Sequence, residues 1–248
     1  RVGKNIRRLK PGDRVVDEHV ITCQQCEYCK TGRPNLCDRR TVVGLDRPGA
    51  LAQYLAIPAD LVYSFPKSIT YEEAALIEPL SIAVYAAKQG GHLLGKRVAV
   101  IGQGPIGLLV DQVLSAGGAL VTGIDVRQHA LAFAKKMGWA HHTINSKIQP
   151  IKKRMQEIKS PDGFDIVFEA VGIEQTAAMS FAITRRDGSV YLLGVFSLPS
   201  RINLMHIVKK ELNVHGSWTC AFSFPDSIDL VARKKVDLKR LITHRYPA

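Results

Sequence analysis

The chain has 248 residues, 46% of them apolar and 23% charged, an ordinary globular composition that excludes a disordered tract and suits one large domain or two modest ones. Its longest greasy stretch, residues 98–110, is broken by Gly102, Gly104, Pro105 and Gly107, so nothing approaches the ~20 uninterrupted apolar residues of a membrane span. Thirty-four Lys and Arg against 22 Asp and Glu leave a charge of +12, which invites an anionic partner. The basic residues are nonetheless scattered over 1–14, 30–47, 147–159 and 233–245 without interleaved aromatics, so a solvated basic surface is the plainer reading and no nucleic-acid partner is expected.

Residues 1–14 are polar and basic, with no apolar stretch of the kind a secretory signal needs, and a soluble cytoplasmic protein is the expectation. Up to about Pro79 the chain is rich in Pro, Gly and short β-branched runs. Asp13-Arg14-Val15-Val16, then residues 49–58, then 61–66, predict a small β-rich unit. Inside it lies Cys23-x2-Cys26-x2-Cys29-x7-Cys37, while the fifth cysteine, Cys220, stands alone. Four thiolates in a short loop, with no open position, have the profile of structural zinc. A ferredoxin-type cluster wants its fourth Cys three residues after the third and then Pro, whereas seven residues precede Cys37 and Asp38 follows it. The two pairs of a nucleic-acid zinc ribbon are set further apart.

From Leu80 the rhythm changes to buried strands alternating with amphipathic helices. Strands are predicted at 97–101, 120–124, 164–168, 189–193 and 212–215. Helices are predicted from Ile106 onward, at 128–137 and at 174–183. That order predicts a parallel sheet covered on both faces. Between the first strand and its helix stands Gly102-Gln103-Gly104-Pro105-Ile106-Gly107. The first glycine permits the tight turn, the second lets the backbone approach a pyrophosphate, and the third lets helix and strand pack closely. Pro105 suits the first helical turn, whose free N–H groups and partial positive charge attract the diphosphate. Asp125, 18 residues beyond Gly107 at the end of the next strand, can accept hydrogen bonds from both hydroxyls of an adenine ribose. Arg127 is the residue able to reach a ribose 2′-phosphate instead. The segment reads as a dinucleotide-binding domain with a preference for NAD.

A compact four-Cys loop upstream of a dinucleotide fold resembles the zinc-containing medium-chain dehydrogenases, and within them the polyol (sorbitol-like) and galactitol-1-phosphate branch. Pro11-Gly12-Asp13-Arg14-Val15 resembles the turn and strand before the zinc lobe. Gly32-x-x-Asn35-Leu36-Cys37 resembles its end, Glu78-Pro79-Leu80-Ser81 the domain junction, and Thr243-His244-Arg245-Tyr246-Pro247 the return to the catalytic domain. The resemblance implies an α/β protein with a Rossmann doubly wound parallel sheet, plus a partial GroES-like β-rich domain carrying the structural zinc lobe. It places the partial GroES-like part at 1–80, the dinucleotide domain at 81–218 and an incomplete return segment at 219–248.

The same resemblance implies that Glu78 faces the catalytic zinc and substrate, as catalytic residue and metal ligand. It places Gly102, Gly104, Pro105, Ile106, Gly107, Asp125, Arg127, Val171, Gly172, Leu193, Gly194, Val195 and Trp218 at the cofactor. Thr219 and Cys220 stand where sorbitol dehydrogenases carry an Arg and a Tyr, a departure at the substrate end, and Ala130 stands where a basic residue often lies near the adenosine. The family's N-terminal Cys and Gly-His-Glu zinc ligands precede the strand that Arg1-Val2-Gly3 resembles, and Ala248 precedes its last elements, so the sequence resembles the interior of a longer protein. Of eight histidines none stands where it obviously supplies a further zinc ligand, and His141-His142 reads as an exposed pair at a strand edge.

The function implied is zinc-dependent hydride transfer between NAD and a polyol, sugar-alcohol phosphate or other secondary alcohol, by a homo-oligomer, dimer or tetramer. The 248 residues as written are expected to bind the dinucleotide without turning over alcohols. The alternatives are a non-catalytic dinucleotide-binding module with a zinc-stapled lobe and, from charge alone, a nucleic-acid binder.

Overall fold

The computed structural model describes residues 1–246; Pro247, the last residue of the return motif, and Ala248 lie outside the described residues. The elements in chain order are β1 (Val15–Asp17), β2 (Val20–Ile21), α1 (Glu27–Lys30), β3 (Thr41–Val42), β4 (Val62–Ser64), α2 (Tyr71–Ala74) and α3 (Ile77–Gln89). There follow β5 (Arg97–Ile101), α4 (Pro105–Ala116), β6 (Leu120–Asp125), α5 (Gln128–Lys136), β7 (His142–Asn145), α6 (Ile151–Glu157), β8 (Phe164–Glu169) and α7 (Glu174–Ile183). The last are β9 (Thr184–Leu192), α8 (Met205–Lys210), β10 (Asn213–Gly216) and α9 (Phe224–Ala232). Two compact units result, one of Arg1–Ile82 with Trp218–Ala248 and one of Ala83–Ser217.

In the first unit β1 pairs antiparallel with β4, and β2 with β3. Residues 49–58, predicted to hold a strand, form none. Leu51 and Tyr54 point into solvent, so the alternation there meets neither a partner strand nor an apolar surface. Strand propensity is realised only when the pleat packs against something. Pro79 sits within the first turn of α3, where a missing N–H costs no helical hydrogen bond. Thr70 and Glu73 close a reciprocal capping box at the start of α2.

The second unit carries a six-stranded, all-parallel sheet in the order β10-β9-β8-β5-β6-β7. That is the doubly wound order in which ligands bind outside the carboxyl ends of the strands, where the winding reverses between β5 and β8. Ile101 is level with Ile124 on one side and Glu169 on the other, so the ends of β5, β6 and β8 form one rim. Ala99, Ile101, Ile124, Ile144, Phe164, Val167, Phe181 and Val190 are buried together beneath it. Near-continuous apolar strands are what a sheet covered on both faces demands.

β9 begins five residues before the predicted start. Its first half, Thr184-Arg185-Arg186-Asp187-Gly188, carries no apolar alternation, but Arg185 Nε donates to Asp165 Oδ1 (2.7 Å) beside a register shift in β8. At the end of α7 the Lys210 ammonium donates to the carbonyls of Phe181, Ala182 and Thr184 (3.1, 2.7 and 2.7 Å). It thereby satisfies helix-terminal acceptors with a positive charge at the negative pole of the helix.

Candidate zinc centre and dinucleotide site

Four cysteine sulfurs converge in the first unit. Cys23 and Cys26 bracket a turn in which Gln24 takes φ 55°, and the single turn of α1 returns Cys29 beneath Cys26. The short helical turn Pro34–Leu36 then delivers Cys37, which is fully buried. The four Sγ atoms lie within 4.8 Å of one another, with Cys26–Cys29 at 3.5 Å and Cys23–Cys29 at 3.9 Å. Zinc–sulfur bonds of ~2.3 Å in a tetrahedron set ligands a little under 4 Å apart, so the donor set fits a structural zinc. All four are free thiols.

The backbone is aimed at the sulfurs as well: Cys26 N–H donates to Cys23 Sγ (3.3 Å), Cys23 N–H to Cys37 Sγ (3.5 Å), and Arg39 donates to Cys23 Sγ (3.3 Å). Hydrogen bonds from the Gln25 and Cys26 backbones lower the Cys23 thiol to about 6. At Cys26 a backbone hydrogen bond from Cys29 lowers the value, but desolvation and the neighbouring sulfurs outweigh it and raise the thiol to about 11. One thiolate is thus ready for a cation, and metal binding has to expel the remaining protons.

At the sheet rim, Gly102 follows β5 with φ 97°, and Gly104 is the N-cap of α4, with Pro105 at its first turn. A Cβ on Gly107 would meet Gly102 O at 1.7 Å, so helix and strand can approach only because that residue is glycine. A Cβ on Gly104 would meet nothing closer than Arg127 Nη2 at 3.9 Å, which leaves an open cradle over the helix N-terminus. Asp125 ends β6 and accepts from Gln103 N–H (2.7 Å), Arg127 N–H (2.8 Å) and the Arg127 guanidinium (3.1 and 3.0 Å). Burial pushes this carboxyl up, but the Arg127 side chain and the two backbone donors outweigh it and hold it below its ordinary value. An ionised acceptor beside a glycine cradle fits the ribose and diphosphate of a dinucleotide.

The other rim residues gather around Glu169, which sequence reasoning missed. Buried at the end of β8, it accepts from Val171 N–H, Gly172 N–H (both 2.9 Å) and Thr176 Oγ1 (2.7 Å). A Cβ on Gly102 would strike Val171 at 2.6 Å, and one on Gly194 would strike Gly172 N at 2.1 Å. Val171 is therefore packed against the glycine loop, and the backbone of 194–195 against Gly172. The available signal was an acidic residue closing an apolar strand directly before Ala-Val-Gly. Trp218 belongs to the first unit, where its carbonyl accepts from Asn35 Nδ2 (3.0 Å) and its ring lies beneath the Arg40 guanidinium.

Glu78, in the first turn of α3, has His19 Nδ1 at 3.5 Å from Oε1. Burial raises the Glu78 carboxyl and His19 counteracts it. No residue pattern singles out His19, four residues before Cys23; its place beside Glu78 is a tertiary fact. Cys220 is buried and burial pushes its thiol up to about 12, against a hydrogen bond from Ser81. Among the described residues the four cysteines are the one group of three or more side chains arranged to share a metal. Glu78 and His19 supply two donors, whereas catalytic zinc uses three protein ligands, so these residues alone do not fit a catalytic zinc. No helix among the described residues is long and apolar enough to cross a membrane.

A doubly wound sheet with a glycine cradle, in a chain that also folds a four-thiolate lobe, defines a zinc-containing dehydrogenase of the medium-chain type. The chain belongs to the zinc-binding dehydrogenase family, which it matches over residues 105–233, and residues 1–67 match the alcohol dehydrogenase GroES-like domain. Sorbitol dehydrogenase of Bacillus subtilis is 36% identical over 251 residues, covering 99% of this chain and 70% of that protein. D-arabitol-phosphate dehydrogenase of Enterococcus avium is 32% identical, covering 99% of this chain and 71% of its own. Two solved structures superpose closely. A zinc-binding dehydrogenase of Sinorhizobium meliloti 1021 bound to NADP has TM-score 0.91 at 28% identity, over 97% of this chain and 71% of that one. A short chain alcohol dehydrogenase of Escherichia coli CFT073 complexed with NADH has TM-score 0.91 at 28% identity, over 98% and 72%.

Proposed function

We propose that the chain serves an NAD-dependent oxidoreductase acting on polyols, sugar-alcohol phosphates or other secondary alcohols, with one structural zinc on Cys23, Cys26, Cys29 and Cys37. The observation that carries this reading is the Asp125 carboxylate at the rim, beside the open cradle over Gly104. The α4 N-terminus, where Pro105 fixes the first turn and Ile106 is the first residue after it with an N–H, holds the diphosphate with its free N–H groups, and Asp125 accepts the two ribose hydroxyls as Arg127 swings away. Val171, Gly172, Leu193, Gly194 and Val195 offer backbone groups to the nicotinamide end. When bound, the dinucleotide supplies the hydride acceptor. Glu78, less readily ionised than a free carboxylate, and His19 hold the substrate hydroxyl by hydrogen bonds. The substrate class is supported by the polyol and polyol-phosphate dehydrogenases among the relatives.

A cysteine loop grouped to share a metal, rather than spread as a disulfide framework, suits a reducing compartment, which supports a cytoplasmic location. A homo-oligomer belongs to the same reading, supported by β10, an exposed edge strand. The test is calorimetry on the 248-residue chain with NADH and NADPH. NADH is expected to bind at least tenfold tighter, and tighter NADPH binding would show that Arg127 decides the choice. Failure of both to bind would overturn the dinucleotide reading. With two donors at Glu78 the chain alone is expected to carry one zinc and to oxidise a panel of polyols and sugar-alcohol phosphates far more slowly than roughly one per second.

A further inference from the structure

One buried residue holds both segments assigned to the nicotinamide end of the dinucleotide. Glu169 closes β8 level with Ile101 of β5 and Leu192 of β9, and none of it is exposed. Its backbone carbonyl accepts from Leu193 N–H (2.8 Å) and Gly194 N–H (3.1 Å), while the next residue, Ala170, donates its N–H to Ile101 O (2.9 Å). Its side chain takes the other segment: Oε1 accepts from Val171 N–H, Gly172 N–H and the Thr176 hydroxyl. The second oxygen, Oε2, is buried without a donor, and a Cβ on Gly194 would come within 2.6 Å of it. A Cβ on Gly172 would meet Val195 O at 2.6 Å, so the two segments meet beside the carboxyl.

A buried acceptor without a donor lowers stability, and an apolar side chain would fill the same space without that cost. What an apolar side chain cannot do is hold two successive N–H groups and a hydroxyl on one atom. We propose that Glu169 is a positioning residue for the nicotinamide half of the dinucleotide, clamping 171–172 through its side chain and 193–194 through its carbonyl. The backbone groups of both segments are thereby fixed before the cofactor arrives, so binding does not have to order them. The Thr176 hydroxyl ties the clamp to α7, and the glycines at 172 and 194 let the two segments approach so closely. The adenosine end is held separately, by the Gln103 and Arg127 donors on Asp125 and by α4. The inference rests on the dinucleotide reading above for where the nicotinamide lies, but not for the clamp itself.

Hydrogen exchange of the free 248-residue chain tests the clamp without any ligand. The Val171 and Gly172 amides are expected to exchange roughly tenfold faster in Glu169→Ala than in the wild type. Unchanged exchange overturns the clamp. Paired titrations with NADH and ADP-ribose, which lacks only the nicotinamide ring, test the positioning role. Glu169→Ala is expected to bind NADH roughly tenfold more weakly and Thr176→Val about threefold, both holding ADP-ribose within about twofold of the wild type. A residue that only supported the fold would weaken both ligands alike. Equal losses therefore overturn the role, as does NADH binding unchanged in both variants. Thr176→Val decides it should Glu169→Ala not fold, since it removes one donor and leaves the carboxyl in place. If the wild-type chain binds neither ligand, the dinucleotide reading falls and the positioning role with it, while the exchange measurement still judges the clamp.

Discussion

Replacing Asp125 by Ala removes the acceptor on which the cofactor preference turns. In the free chain the carboxylate accepts two backbone N–H groups and a two-pronged Arg127 guanidinium. To receive two ribose hydroxyls it has to give up the guanidinium prongs and keep the backbone donors. Arg127 is half exposed although the carboxylate it leaves is buried, so releasing it costs about 1 kcal/mol, the upper end for an exposed pair. Each hydroxyl donating to a charged acceptor contributes about 1.5–3 kcal/mol, part of which water restores in an open site. A net loss of about 1.5–3 kcal/mol remains, so NADH should bind Asp125→Ala roughly 10–150-fold more weakly. NADPH should bind no worse than before, since a carboxylate that repels the 2′-phosphate is gone and Arg127 is free to meet it. The assay is calorimetric titration with both nucleotides, with Asp125→Asn, which retains one acceptor oxygen, expected to fall between. An NADH Kd within twofold of wild type in folded Asp125→Ala would refute the reasoning, because no ribose contact to this carboxylate could then exist.

Cys37→Ser should lower zinc content below one per chain and loosen residues 23–37 toward proteolysis, while NADH binding survives; full zinc occupancy would contradict the four-thiolate site. Structural zinc contributes ~10–16 kcal/mol in isolated finger peptides, so chelation should unfold the lobe before the sheet, as followed by hydrogen exchange. Lys210→Met should destabilise the second unit by about 1–2 kcal/mol, read as a lower Tm, because three carbonyls lose a charged donor. At Asp165 burial raises the carboxyl, but the Arg185 hydrogen bond, the Arg97 N–H and both nearby charges outweigh it and hold it below 3.8. A lowered folded value adds stability that is complete above the unfolded value and lost as pH falls through the folded one, so Asp165→Asn should be the less stable chain at pH 7, with the gap closing as acid titrates the Asp165 carboxyl of the wild type.

Features that repeat along the chain were legible in the sequence, whereas those made by tertiary contact were not. The strand Arg97–Ile101 and the loop after it were readable because a buried parallel strand is uniformly apolar and the turn that ends it requires glycines. The cysteine spacing was readable because a metal loop is short and local. The helix α3 was hidden by Pro79, whose cost vanishes in a first turn, and the start of β9 by an arginine-rich stretch that becomes a strand only because Asp165 meets Arg185. His19 was invisible because it acquires its meaning from Glu78, distant in sequence, and no periodicity announces such a pair. Glu169 was different: its partners are the N–H groups two and three residues on, so its signal was local, an acidic residue at the end of an apolar strand before Ala-Val-Gly.

The central claim, a zinc-stapled lobe and a dinucleotide rim in one chain, is tested most directly by diffraction at the zinc absorption edge from crystals grown with NADH. The expected map has one anomalous peak amid the sulfurs of Cys23, Cys26, Cys29 and Cys37, the diphosphate over Gly104 and Ile106, and both ribose hydroxyls on Asp125 with Arg127 displaced. An empty cysteine lobe, or a nucleotide bound away from the ends of β5 and β6, would contradict it.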